Sequence, residues 1–239
     1  MDGRQALGFR PLYRQVRELL EKRIAEGLWP PGSLLPSEGE IAADLGVSQG
    51  TVRKALDEMT ARNLLVRRQG RGTFVARHDE ARILFQFFKL VADEEERAFP
   101  ESRVLSVEVQ AAGAAAGPLG IGAADPAIAI ERVRSLQGID CIAERIVLPA
   151  RLFPGLEGRD LPNNLYQLFA AEYGVTIARA SERLKAVAAG PREAERLGVA
   201  AGTPLLSIDR VAFQLDDRPA EWRVSLCRTD RFHYRSELR

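Results

Sequence analysis

"LGVSQGTVRKALDEM", Leu45 to Met59, reads as the turn and second helix of a helix-turn-helix. Gly46 can take the left-handed conformation that ends a helix in a tight turn, and Ser48 can cap the start of the next. Val52, Ala55, Leu56 and Met59 recur at helical spacing and give that helix one apolar face. Its leading end carries Ser48, Gln49, Gly50 and Thr51, with Arg53 and Lys54 a turn further on. In a helix-turn-helix this end enters the major groove. Gln can pair bidentately with adenine, Ser and Thr can meet several bases or phosphates, and Arg and Lys suit phosphates or a guanine edge.

Outward from this stretch the pattern continues. Leu12, Val16, Leu19, Leu20 and Ile24 predict a helix from Pro11 to Glu26, which "GLWPPGSLLPSE" interrupts. Ser37, with Glu40 three residues on, is a capping box for a helix carrying Ile41, Ala42 and Leu45. The helix after Ser48 is expected to run to about Arg62. "LLVRRQGRGTFVAR" then reads as strand, Gly-rich turn and strand. This wing sets Arg67, Arg68 and Arg71 around Gly70 and Gly72. Glycines let the backbone come close, and a protruding Arg suits a narrow minor groove. Three helices and a hairpin in this order predict a winged helix-turn-helix over residues 1–75.

Residues 76–84 read as a connector, and residues 85–239 as a second domain. "SRVLSVEVQ", "AIAIERVRSL", "CIAERIVLP", "ERLKAVAA", "PLLSIDRVAF" and "AEWRVSLCR" alternate as strands do, and "NNLYQLFAAEYG" and "PREAERLG" read as helices. The class is α+β around an antiparallel sheet. "AAGAAAGPLGIG" suits a loop with a small helix. Arg132 and Arg134 are two apart on a strand and so face the same way. Glu144, on the returning strand, can face them, and Glu221 sits on another strand. Such a set is either an ion network bracing the sheet or a pocket for a carboxylate or phosphate, which Arg forks favour. The two can hold together. Phe85, Phe87 and Phe88, beside Lys89, are either strand core or pocket lining.

Bulk properties agree with two modest soluble domains in 239 residues, 46% hydrophobic and 28% charged. The net charge of +1 carries no nucleic-acid signal, but its distribution does: residues 1–77 hold 13 Lys+Arg against 9 Asp+Glu, and the remainder 21 against 24. No apolar run approaches the ~20 residues that span a bilayer, and the first ten residues hold no signal-like core. Cys141 and Cys227 are too few for a disulfide framework, which points to a cytoplasmic protein with reduced thiols. His78 and His233 stand in no nucleophile–base arrangement, and no metal-ligand spacing, P-loop or dinucleotide fingerprint occurs. An enzyme, a metal and a cofactor are therefore not expected.

The combination of a Pro-Leu-Tyr helix start, "LPSEGEIA", "GVSQGTVRKALDEM" and "GRGTF" resembles the DNA-binding domain of the GntR family of bacterial transcription regulators, across residues 11–75. The resemblance implies a homodimer on a short palindromic DNA operator. It implies DNA contacts from Ser37, Glu38, Ser48, Gln49, Gly50, Thr51, Arg53, Gly70, Arg71, Gly72 and Thr73; Lys54 and Arg68 join them on their charge. Two residues depart from the family: Gly39 and Gln49 stand where Arg is frequent, which predicts a different operator or lower affinity. The C-terminal part, from "ESRVLSVEV" through "CRTDRF", is similar to the UTRA domain of the HutC-type branch. That similarity implies a chorismate-lyase-like fold and an effector pocket without catalysis. It implies effector contacts from Arg132, Arg134, Glu144, Asn164 and Glu221, to which Phe87, Lys89 and Tyr166 are added. The expected protein is a ligand-responsive regulator, a repressor released from its operator by a small-molecule effector such as an organic acid. An activator, or a DNA-binding dimer without ligand response, is the alternative.

Overall fold

Three short helices carry the first unit: α1 (Leu12–Ala25), α2 (Glu38–Leu45) and α3 (Gln49–Ala61). The structure is a computed structural model and describes residues 11–62, 64–76, 87–94 and 99–236. Helix α1 spans slightly less than the apolar periodicity suggested. Pro11 precedes it and lacks a side chain that could cap it. Leu20, Val52, Ala55, Leu56 and Met59 are almost wholly buried where α1 and α3 meet. Ion pairs at the margins bridge the helices: Arg17–Glu58 at 2.8 Å, Arg62–Glu21 at 2.9 Å and Arg23–Asp44 at 2.7 Å.

The helix starts are set by their caps. Ser37 Oγ accepts from the Glu40 backbone N–H at 3.2 Å, while the Glu40 carboxylate accepts from the Ser37 N–H at 2.8 Å. This reciprocal box satisfies two donors that a helix start otherwise leaves open. Gly46 closes α2 at φ 62°, a conformation that costs other residues strain. Ser48 Oγ then accepts from Thr51 N–H at 3.2 Å and fixes where α3 begins. Strands β1 (Leu65–Arg68) and β2 (Gly72–Val75) pair antiparallel to form the wing. Gly72 has φ 101°, so its backbone demands glycine.

The chain divides into two compact units, Met1–Arg77 and His78–Arg239. Most of the expected connector, and Phe85, lie outside the described residues. Among the described residues, the first strand of the second unit is the short β3 (Leu90–Ala92). A six-stranded antiparallel sheet follows, of β4 (Glu101–Ala111), β5 (Pro126–Leu136), β6 (Ile139–Pro149), β7 (Ile177–Ala188), β8 (Pro204–Gln214) and β9 (Pro219–Arg228). The spatial order is β4-β5-β6-β9-β8-β7. Strand β10 (Phe232–Tyr234) returns to pair with β3. The Ala/Gly stretch forms a 3-10 turn, Gly113–Ala115, and a single-turn helix α4 (Ala116–Leu119). Helices α5 (Leu165–Tyr173) and α6 (Pro191–Leu197) complete the unit.

Each face of the sheet carries its own core. On one face, Leu165, Tyr166 and Phe169 of α5 pack with Phe153, Ile128, Ile130, Ile146 and Leu148. On the same face, Phe88 and Leu90 from the β3 segment and Phe232 of β10 pack with Leu136, Ile142, Ile208 and Cys227. The other face is covered by α4 against Ala127 and Val147, and by α6 against Ala143 and Leu205. The first face is thus roofed by two separate elements, and the strands between those roofs carry charge.

Candidate DNA-reading surface and effector pocket

In the first unit, Ser48, Gln49, Gly50 and Arg53 are exposed along the start of α3, and Gln69, Gly70, Arg71 and Gly72 at the tip of the wing. A groove lined by Ser37, Glu38, Gly39, Gln49, Arg67, Arg68, Gly70 and Thr73 joins the two. Glu38 is the acid at its centre. Its carboxylate takes Arg53 Nε of α3 at 2.9 Å and lies 3.5 Å from Arg67 Nη2 of the wing, which Asp57 holds more closely at 2.7 Å. Ser48 and Thr51 hydroxyls lie 2.9 Å apart and are engaged with the cap. Lys54 Nζ stands 4.1 Å from the centre of the Tyr13 ring on α1, and the Arg68 guanidinium 4.9 Å from Phe74. These ring contacts hold long cations in defined places at the surface.

The second unit builds its site from strand alternation. On β5, Ile128, Ile130, Arg132 and Arg134 follow one another on one face. Across the register, Arg132 pairs with Glu144, Glu144 with Ser225 and Ser225 with Ile208. One row over, Ile146, Arg223, Arg210 and Glu182 stand opposite one another on β6, β9, β8 and β7. The result is a charged band, almost wholly buried, between the two roofs. It lines a cavity with Phe87, Phe88 and Lys89 before β3, Phe99, and Asn163 to Tyr166 at the start of α5.

Most of the charges are matched. Arg132 Nε donates to Glu144 at 2.6 Å, and Arg132 Nη1 to the Asn163 carbonyl at 3.5 Å. Ser225 Oγ donates to the other Glu144 oxygen at 3.1 Å. Arg223 Nη2 donates to Glu221 at 2.7 Å, and Tyr166 Oη to the same carboxylate at 2.8 Å. Arg210 Nε donates to Glu182 at 2.7 Å, and its Nη2 to the Phe87 carbonyl. Burial alone would raise the Glu144 carboxyl, but the charges of Arg132, Arg223 and Arg134 hold it below the usual carboxylate range. Burial and the adjacent Glu221 push the Tyr166 hydroxyl up to about 12, so it stays a donor.

Arg134 is different. It is only 4% exposed, yet among the described residues no carboxylate lies within salt-bridge distance of it. Its partners are the Ser102 hydroxyl at 3.2 Å and the rings of Phe88 and Phe99, whose centres lie 5.0 and 5.5 Å from the guanidinium carbon. Burial first, and the neighbouring Arg132 second, pull its pKa well below the ordinary arginine value. Glu144 acts on it only from beyond ion-pair distance, and a buried cation with no carboxylate paired directly to it, beside a cavity, is a place for an anion.

Residues 12–75 match the family of bacterial regulatory proteins called the gntR family, and residues 96–233 match the UTRA domain. The chain is a GntR-family regulator with a UTRA domain. The HTH-type transcriptional repressor NagR of Bacillus subtilis (strain 168) is 31% identical over 233 residues, which are 95% of this chain and 96% of NagR. Among solved structures, the ligand-binding domain of a GntR-family regulator from Bordetella bronchiseptica is 38% identical with a TM-score of 0.60, over 65% of this chain and 99% of that one. PhnF from Mycobacterium smegmatis is 29% identical with a TM-score of 0.56, over 94% and 99% of the two chains. DNA binding and small-molecule binding are the work of this family, and catalysis is not.

In this GntR-family regulator, the expected effector residues Phe87, Lys89, Arg132, Arg134, Glu144, Asn164 and Tyr166 do line one cavity. Glu221 is the exception. It is wholly buried, outside the lining, and reaches the cavity only through Tyr166 and Arg223, which it holds. A carboxylate there braces two residues of the wall. Asn164 lines the cavity and also caps α5, its Oδ1 accepting from Gln167 N–H at 3.1 Å. Phe87 serves both roles considered for it: it belongs to the α5 core, edge-on to Tyr166 at 5.1 Å, and it lines the cavity. Phe88, packed beneath Arg134, does likewise.

Phe99, Arg210, Arg223 and Ser225 line the cavity as well, beyond the residues the sequence pointed to. A signal was present for two of them. Glu221, Arg223, Ser225 and Cys227 alternate along β9 with the parity of Arg132 and Arg134 on β5, and a strand that buries alternate polar residues is building something on that face.

Proposed function

We propose that this regulator is a repressor that leaves its DNA operator when a small organic acid enters the UTRA cavity, the carboxylate meeting Arg134. The observation that carries the ligand class is the buried Arg134 guanidinium. Arg132, Arg210 and Arg223 each have a carboxylate partner, so a ligand with one negative charge completes the set. The rings of Phe87, Phe88 and Phe99 favour a flat, partly apolar body over a polyhydroxyl one. That NagR is named a repressor supports repression as the mode.

The protein acts in the cytoplasm as a homodimer whose two heads meet half-sites on one face of a palindromic duplex, about 34–36 Å apart. Leu105 and Val109 on β4 and Leu184 on β7, the two sheet edges, are apolar and exposed, which supports pairing of C-terminal units. In each head Ser48, Gln49, Gly50 and Thr51 face base edges. Arg53, Lys54, Arg68 and Arg71 grip phosphate and minor groove, with Ser37, Gly70, Gly72 and Thr73 offering close backbone and hydroxyl contacts. Glu38 contributes by aiming Arg53. The chain leads from the head, through a connector over 76–84, into Phe87 to Lys89. A ligand that prefers one position of these cavity residues can therefore favour one separation of the heads.

Thermal-shift and calorimetric screening of the full-length protein against monocarboxylates, sugar phosphates and amines tests this, with hits then assayed for release of protein from its selected DNA site. Carboxylate hits that release the DNA are expected. Hits confined to sugar phosphates or amines overturn the ligand class, and carboxylate hits that leave DNA binding unchanged overturn the switch.

A further inference from the structure

Gly39 and Gln49 belong to different helices and meet in the groove. Gly39 is the second residue of α2 and Gln49 the first of α3. A Cβ built on Gly39 would lie 2.8 Å from Gln49 Nε2, with only the Ser37 hydroxyl near it otherwise, at 3.9 Å. Gly39 is not among the positive-φ glycines, so its backbone does not require glycine. What glycine supplies here is space, and the Gln49 amide occupies that space.

We propose that Gly39 is a specificity-determining residue that acts through Gln49. By leaving room above the start of α2, it lets the Gln49 side chain lie back, and so sets how strictly Gln49 reads its base. This rests on the reading of the α3 start as base-reading. A bidentate pair with adenine needs both the carbonyl and the amino group of Gln presented to the base edge. An amide folded against Gly39 is not so presented. A methyl group at position 39 closes this retracted position. Because Nε2 is the end of a flexible chain, the side chain moves and the helices do not. Two positions on different helices thus form one reading unit.

The test is selection from a randomised duplex DNA library by four full-length proteins: the native chain, Gly39→Ala, Gln49→Ala and the double variant. Alanine is the better helix former, so Gly39→Ala is expected to melt no lower than the native protein. Gly39→Ala should sharpen preference for adenine at one position of each half-site by about fivefold, within the discrimination a bidentate pair supplies. The double variant should select what Gln49→Ala selects. If Gln49→Ala changes the selected motif while Gly39→Ala does not, the coupling is wrong and the reading role of Gln49 stands. If Gln49→Ala and Gly39→Ala both select the native motif, Gln49 is no reader and both ideas fall. If Gly39→Ala shifts the motif equally when Gln49 is alanine, Gly39 acts by itself and the proposal is overturned.

Discussion

Replacing Arg134 by Met should make the protein more stable while removing its response to ligand. The substitution keeps a long apolar stem against Phe88 and Phe99 and deletes the charge. In its native setting the guanidinium is almost wholly buried and has no carboxylate partner among the described residues. An uncompensated buried charge costs several kcal/mol even after the surroundings relax. Against that stand one hydrogen bond, to Ser102, contributing about 1 kcal/mol, and two ring contacts of about 0.5–1 kcal/mol each. The balance leaves Arg134 destabilising by roughly 1–2 kcal/mol in the absence of ligand. At about 2–4 °C per kcal/mol for a unit of this size, the melting temperature should rise by about 2–8 °C. Scanning calorimetry of the full-length variant measures this, and the same sample should bind its selected DNA with native affinity while ignoring carboxylates. A fall in melting temperature would refute the reasoning, since it would mean that Arg134 already has the counter-charge it is argued to lack.

Arg132→Ala should behave in the opposite way. It leaves Glu144 buried beside a vacated position and should cost about 3–5 kcal/mol in urea unfolding, so loss of ligand response in that variant reports a damaged fold rather than a missing contact. The Glu144 carboxyl is held below its unfolded value, so its contribution is complete above the ordinary carboxylate range and is lost as pH falls through its depressed folded value. The stability advantage of the native chain over Glu144→Gln should therefore shrink below about pH 4.3, as calorimetry from pH 7 to 3 would follow. The Cys141 thiol is pushed up to about 12, burial being the main cause, and Cys227 is raised as well. Ellman's reagent at pH 8 should find no fast thiol in the native protein and both after unfolding; rapid native labelling would contradict the burial. Arg53→Ala should weaken binding to every DNA sequence and flatten the salt dependence by about one counterion. A change of base preference in that variant would make Arg53 a reader instead of a grip.

Local rules settled much of this molecule before any tertiary contact was considered. Ser37 with Glu40, Gly46 and Ser48 fix where α2 and α3 start and stop, because caps and left-handed turns act within a few residues. Alternation likewise marked the sheet strands and set Arg132 and Arg134 on one side, because strand parity is a property of the backbone. What the sequence could not assign is which strands become neighbours. The order β4-β5-β6-β9-β8-β7 brings Arg223 and Arg210 beside Ile146, residues some 60 to 80 positions apart in the chain. That pairing decides that three of the four arginines are neutralised and that Arg134 is left over. It also keeps Glu221 out of the cavity lining, its two oxygens accepting from Tyr166 and Arg223. The meeting of Gly39 with Gln49 is of the same kind: each residue can be read singly, but their shared space exists only once α2 and α3 are packed.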